Sequence, residues 1–267
     1  MIYFIPTPIG NLEDITLRSL RILREVEYIA CEDTRTTKKL LDYYDIHKKL
    51  ISYHKFNEKE RIDELINLAI DNDIAVVSDA GMPGISDPGN ILINALIEKQ
   101  LKYTVLPGAS AFTTALVMSG FNSIDFEFLG FVPSKKSEKT KFIKNLLEKK
   151  HTLIFYETPH RINDTIKELS EFIPNRKIAI VREISKIYEE VKIFLIKDYE
   201  NISITEKGEF VVIIDTDDTI EEISDEFILK KLNELYQKGK TKKSAVNIIT
   251  QKYNLNKNRV YELSITT

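Results

Sequence analysis

Five times before residue 121 a short, mostly apolar run stops at a corner of polar residues, glycine or proline, and a helical pattern follows. The runs are Ile2-Tyr3-Phe4-Ile5, Tyr28-Ile29-Ala30-Cys31, Leu50-Ile51-Ser52-Tyr53, Ile74-Ala75-Val76-Val77 and Tyr103-Thr104-Val105-Leu106. Strands that alternate with helices predict an α/β fold with a mainly parallel, doubly wound sheet. In such a sheet every strand-to-helix corner leaves on the same edge, where open α/β sheets bind ligands. Pro8 and Gly10, Glu32, Asp33 and Arg35, His54 and Lys55, Asp79 to Gly89, and Gly108 to Ala111 would therefore line one crevice despite their distance along the chain.

The longest corner, Ser78-Asp79-Ala80-Gly81-Met82-Pro83-Gly84-Ile85-Ser86-Asp87-Pro88-Gly89, carries three glycines and two prolines. Glycine permits positive φ or close backbone approach, and proline fixes φ. Pro88 suits the first turn of a helix, capped by Ser86 or Asp87. The spacing is neither G-x-G-x-x-G nor G-x-x-x-x-G-K-[ST], so dinucleotide and P-loop readings lose their warrant. Taken alone the loop could simply turn the chain; the other corners on the same edge favour a binding role.

After Gly120 the pattern changes. Phe126 to Pro133 reads as a strand opening a second domain, followed by a lysine-rich helix from Ser137 to Lys150. Further strands are predicted at His151 to Tyr156, Ile178 to Val181, Val191 to Leu195 and Phe210 to Ile214. We place domains at residues 1–121 and 122–218, then an acidic linker from Asp215 to Glu226 opening a C-terminal module at 219–267. In that module Lys242, Lys243, Lys257 and Arg259 are among the cations that outnumber nearby acids, and the apolar spacing suggests short helices parted by turns near Gly239 and at Tyr253 to Asn256. This helix-turn-helix-like pattern suits a phosphate backbone, and equally a helical cap with solvated lysines.

The net charge of −3 predicts no polyanion partner for the molecule as a whole, though a local basic patch remains compatible with it. Cys31 is the only cysteine, which excludes an internal disulfide or a cysteine metal cluster and fits a reducing compartment. No run approaches the roughly 20 apolar residues of a membrane helix, and the first residues lack a signal peptide's basic start, so a cytoplasmic protein is expected. No His/Cys cluster has ligand spacing, so no metal is expected.

The ordered motifs Thr-Pro-Ile-Gly-Asn-Leu (Thr7 to Leu12), Cys-Glu-Asp-Thr-Arg (Cys31 to Arg35), the Ser78 to Gly89 loop, Pro-Gly-Ala-Ser-Ala (Pro107 to Ala111), Gly-Phe-Val-Pro-Ser-Lys (Gly130 to Lys135), Glu-Thr-Pro-His-Arg (Glu157 to Arg161), Arg-Glu-Ile-Ser-Lys (Arg182 to Lys186) and Lys-Gly-Glu (Lys207 to Glu209) span nearly the whole chain. Together they resemble the tetrapyrrole methylase superfamily of S-adenosylmethionine-dependent methyltransferases. Within it, they resemble the branch that methylates a cytidine 2′-hydroxyl in small-subunit (16S) ribosomal RNA, at cytidine 1402 of the decoding region.

That resemblance implies two α/β domains with S-adenosylmethionine in the cleft between them, usually in a homodimer. Carried over by motif, the cofactor residues are Pro8, Gly10, Asp79, Ala80, Gly81, Pro83, Gly84, Ser110 and Ala111, with Tyr156 and Gly208 from the second domain. Ser-Asp-Ala-Gly stands where corrin-modifying relatives have Gly-Gly-Asp-Pro, which counts against a tetrapyrrole substrate. Lys139 and Lys141 stand where the RNA branch tends to carry arginine, and lysine loses the bidentate fork.

A ribose hydroxyl is a weak nucleophile, so a carboxylate or imidazole would help by taking its proton. Glu32, Asp33, His54, Glu157 and His160 are candidates on the predicted edge, and Glu157 and His160 are favoured as the catalytic pair. The same two residues could instead form a helix cap, and Glu32 or Asp33 could pair with Arg35. Arg35, Lys135, Arg161, Lys242, Lys243, Lys257 and Arg259 are the expected RNA contacts, with 16S ribosomal RNA or the small subunit as partner. The rivals are a corrin or porphyrin methyltransferase and a non-catalytic RNA-binding assembly protein.

Overall fold

The computed structural model describes residues 1–216, 225–237, 239–253 and 257–265. Contacts divide the chain into two units, Met1–Thr216 and Asp217–Thr267.

The first unit holds two sheets. Strands β1 (Ile2–Ile5), β2 (Tyr28–Cys31), β3 (Lys49–Ser52), β4 (Ile74–Val77) and β5 (Tyr103–Val105) form a parallel sheet in the order β3-β2-β4-β1-β5. Side chains alternate between its faces with period two. Ile2, Phe4, Ala30, Ile74 and Val76 face helices α3 (Glu58–Asp71) and α4 (Asn90–Glu98), while Ile5, Ile29, Cys31, Ala75 and Val77 face α1 (Leu17–Glu25) and α2 (Thr34–Tyr43). Helices on both faces explain why these strands read as continuous apolar runs.

The second sheet is mixed. Strands β6 (Phe126–Phe131), β7 (Thr152–Glu157), β8 (Lys177–Arg182), β9 (Glu190–Leu195) and β10 (Phe210–Ile214) run in the order β6-β7-β10-β8-β9. Only β6 and β7 are parallel neighbours; β10 lies antiparallel between β7 and β8. One face packs on α6 (Lys136–Leu147) and α7 (Ile162–Phe172) through Phe155, Ile180, Ile143 and Ile166.

The other face receives α5 (Ala111–Ser119), whose Ala115 and Leu116 share a core with Ile154, Ala179, Val181, Val211 and Ile213. The helix that follows the last strand of the first sheet thus packs on the second. A ligand lying at the start of α5 is consequently held by both sheets.

The C-terminal unit has helices α8 (Asp225–Gln237), α9 (Lys242–Tyr253) and α10 (Lys257–Ile265) around Ile228, Leu232, Ala245, Val246, Ile249 and Val260. The turn at Gly239 closes α8, with the Gly239 and Lys240 amides donating to Tyr236 and Leu235 carbonyls. Of the predicted linker from Asp215 to Glu226, residues 217–224 lie outside the described residues and Asp225 already begins α8; of the predicted turn at Tyr253 to Asn256, residues 254–256 lie outside them and Tyr253 still ends α9.

Candidate active site

A cavity of about 460 Å³ opens where the glycine-rich corner after β4, the start of α5 and the ends of β6, β7 and β10 converge. That volume falls in the range of small-molecule sites. Asp79, Ala80, Gly81, Ser110, Ala111, Tyr156 and Gly208, all expected to hold the cofactor, line it, and so does Glu157. Pro8, Gly10, Pro83 and Gly84, also expected to hold the cofactor, are not among the lining residues. Thr7, next to Pro8, exchanges two backbone hydrogen bonds with Gly81 (3.0 and 2.9 Å), so the first and fourth corners are stitched together. Gly10 admits the second half: a Cβ there would lie 2.5 Å from the Ile184 carbonyl oxygen.

One wall is acidic. Glu32, Asp79 and Asp87 all border the cavity. Burial, and then the charges of Glu32 and Asp79, push the Asp87 carboxyl up to about 6. Burial and Asp79 raise Glu32, and burial with nearby Asp33 raises Asp79, although the Asp33 amide donates to it at 3.0 Å. Asp87 and Glu32 have no hydrogen-bond partner among the described residues. Asp33 is spent otherwise: it caps α2 and grips Arg35 bidentately (3.1 and 2.8 Å), and those hydrogen bonds hold its carboxyl at about 2.

Glu157 lines the cavity with its carboxylate engaged on both oxygens. Oε1 accepts from the Thr158 amide (2.7 Å) and pairs with Arg161 (2.7 Å), and Oε2 accepts from the Thr165 hydroxyl (2.7 Å). Its side chain is fully buried. His160 is exposed and outside the lining, and His54 uses Nδ1 to accept the Phe56 amide.

The cations expected to meet RNA divide into two groups. Arg161 is turned inward, donating to Thr158 and the Val132 carbonyl besides Glu157; Arg35 is held by Asp33, and Arg259 by Asp225 at 2.7 Å. Lys139 is buried against Glu168 at 3.1 Å, so it braces α6 on α7. Lys135, Lys242, Lys243 and Lys257 are exposed. Lys135 reaches Glu138 across one turn at 3.2 Å.

The lining fits the methyl donor that the resemblance implies. Carboxylates complement a sulfonium and an ammonium group, and Ala111, Ile184 and Val211 offer apolar contact. Ser110 begins α5 with its hydroxyl not used as a cap, leaving that hydroxyl available to a ligand. Among the described residues no group of His, Cys, Asp and Glu is spaced to hold a metal ion.

Residues 1–200 match the family profile of the tetrapyrrole (corrin/porphyrin) methylases. The chain belongs to that family. It is 44% identical over 223 residues to the ribosomal RNA small subunit methyltransferase I of Halalkalibacterium halodurans, covering 80% of this chain and 75% of that one. It is 38% identical over 272 residues to the protein of the same name from Bacillus subtilis, covering 98% and 93%. Among solved structures, a diphthine synthase matches with a TM-score of 0.65 at 14% identity, covering 80% of this chain and 89% of that one, which shows the shared fold.

Asp87 and Phe131 are among the lining residues to which sequence reasoning gave no catalytic, cofactor or RNA role. Both stood inside quoted motifs, Asp87 as a possible cap and Phe131 as a strand residue, and only their placement against the cavity singles them out.

Proposed function

We propose that this protein transfers the methyl group of S-adenosylmethionine to the 2′-hydroxyl of a cytidine in 16S ribosomal RNA, at decoding-region cytidine 1402, acting in the cytoplasm as a homodimer. The observation that carries the reading is the cavity in which corners from both sheets meet under an acidic wall. A cationic donor is attracted there, and the names of relatives covering most of the chain supply the RNA acceptor.

Displacement at a sulfonium needs donor and acceptor in line, so the protein's main work is alignment. Asp79, Gly81, Ser110 and Ala111 hold the donor from the first half, and Tyr156 and Gly208 from the second. The acceptor proton passes to a carboxylate. We assign it to Asp87, because it borders the cavity with no hydrogen-bond partner among the described residues and, unlike Glu32, it faces Tyr156 of the second half, whereas the buried Glu157 has both oxygens engaged and His160 lies outside the lining. Exposed Lys135, Lys242, Lys243 and Lys257 supply phosphate contacts, as counterion release favours.

Calorimetry with S-adenosylmethionine and methyl transfer to unmethylated small subunits together test this reading. Donor binding followed by labelled RNA is the expected result. No heat with the donor would point to an RNA-binding assembly protein, and labelling of a tetrapyrrole instead of RNA to the corrin-type alternative.

A further inference from the structure

An aromatic row runs along the second sheet toward the cavity. Phe112 stacks on Phe128 (centroids 4.5 Å apart, planes at 20°), Phe128 meets Tyr156 edge-on at 5.0 Å, and Tyr156 meets Phe131 at 5.1 Å and 61°. Phe112, Phe128 and Tyr156 are partly buried. Phe131, at the cavity border, is 55% exposed.

Alternation alone would not put Phe131 in this row. Phe128 and Phe131 are three residues apart, so a regular strand would send them to opposite faces. The register slips between them: Phe128 pairs with Ile154 and Phe131 with Tyr156, three steps against two. This is a β-bulge, which adds one residue and re-aims the side chains beyond it. Gly130 supplies it at φ +70°, with nothing within 4 Å of a Cβ placed there, so the demand is on backbone shape. The ladder resumes at once, the Val132 amide donating to the Tyr156 carbonyl at 3.1 Å, and Arg161 fixes the Val132 carbonyl at 3.2 Å. The bulge thus directs a large apolar ring toward solvent on a braced backbone, where burial does nothing to explain it.

We propose that Phe131 is the stacking surface for the target nucleobase: a pyrimidine turned out of its RNA strand lies on the ring while its ribose enters the cavity. This rests on the RNA-methyltransferase reading above. Turning the nucleotide out of its strand lets its ribose reach into the cavity, and an aromatic face recovers the lost stacking without demanding sequence. Tyr156 behind the ring holds it, and Lys135, four residues on and exposed, suits an adjacent phosphate.

Three variants test it, with unmethylated small-subunit ribosomal RNA as the probe. Phe131→Leu keeps apolar volume but removes the π face. It should raise the KM for RNA about 10- to 100-fold, with S-adenosylmethionine affinity by calorimetry unchanged. Phe131→Tyr, which keeps a ring, should lose less. The chain has no tryptophan, so Phe131→Trp creates a lone indole, excited at wavelengths the tyrosines do not absorb, whose emission saturating RNA should quench. Wild-type kinetics in Phe131→Leu, or unquenched emission in Phe131→Trp, would overturn the stacking role while leaving the enzyme's function standing. Failure of the wild-type protein to methylate RNA would overturn both.

Discussion

Glu58, on the first turn of α3, accepts the amide of Gly89 at 2.8 Å through Oε1, behind the glycine-rich corner. The same oxygen accepts the Tyr53 hydroxyl at 2.8 Å, and both side chains are buried. Replacement by alanine strands two buried donors, at about 1–3 kcal/mol each. Glu58→Ala should lose about 2–6 kcal/mol of unfolding free energy in urea and weaken S-adenosylmethionine binding. Glu58→Gln, which keeps an acceptor, should lose less; equal losses would mean the carboxylate acts by charge instead.

Asp87 links activity to stability. With its folded pKa raised to about 6, facing Glu32, Asp79 and Tyr156, its favourable contribution is full below the unfolded value and disappears as pH rises through 6. Asp87→Asn should therefore stabilise the fold only modestly at pH 8, by about 1 kcal/mol once the solvent screening of a partly exposed carboxyl is allowed for, with the gain vanishing near pH 4 in thermal melts.

Turnover should respond in the opposite sense. A base must be ionised to take the proton, so with Asp87 in the proposed role single-turnover methylation by the wild-type protein should climb through pH 6 and level off. Asp87→Asn should lose that limb and about 10²–10⁴-fold in rate. An unchanged pH profile would return the role to another group.

Glu157 should behave as structure. Removing one partner of a buried ion pair costs about 3–5 kcal/mol, so Glu157→Ala should lower the melting temperature sharply. At a temperature where that variant stays folded, turnover should remain within about tenfold, well short of the loss expected for a general base. A thousandfold loss at full stability would restore Glu157 as the base.

Gly10 should report on the seam between the halves. Gly10→Ala must displace the Ile184 carbonyl, which a Cβ would approach to 2.5 Å, or widen the cleft. Donor affinity by calorimetry is expected to fall at least about tenfold, worth about 1.4 kcal/mol; unchanged affinity would show that the seam yields freely.

The first sheet was legible because burial on both faces writes itself as uninterrupted apolar runs: Ile74 to Val77 could be read directly, and its parallel neighbours put the corners on one edge. The second sheet was legible strand by strand, not in order, because the insertion of β10 between β7 and β8 is a long-range pairing that local pattern does not encode. The packing of α5 was hidden for the same reason. At the site, the motifs announced Asp79, Ser110 and Tyr156. Whether a polar side chain is free or spent depends on neighbours brought in by the fold, and so Glu157 and Arg161, at one predicted strand end, turn out bonded to each other while Asp87 has no hydrogen-bond partner among the described residues.

The most direct measurement is methyl transfer from radiolabelled S-adenosylmethionine to unmethylated small ribosomal subunits, followed by alkaline hydrolysis of the RNA. A 2′-O-methyl group blocks cleavage at its own nucleotide, so the account predicts label in an alkali-resistant dinucleotide that begins with cytidine. Label recovered in a mononucleotide, or no label in RNA at all, would contradict it.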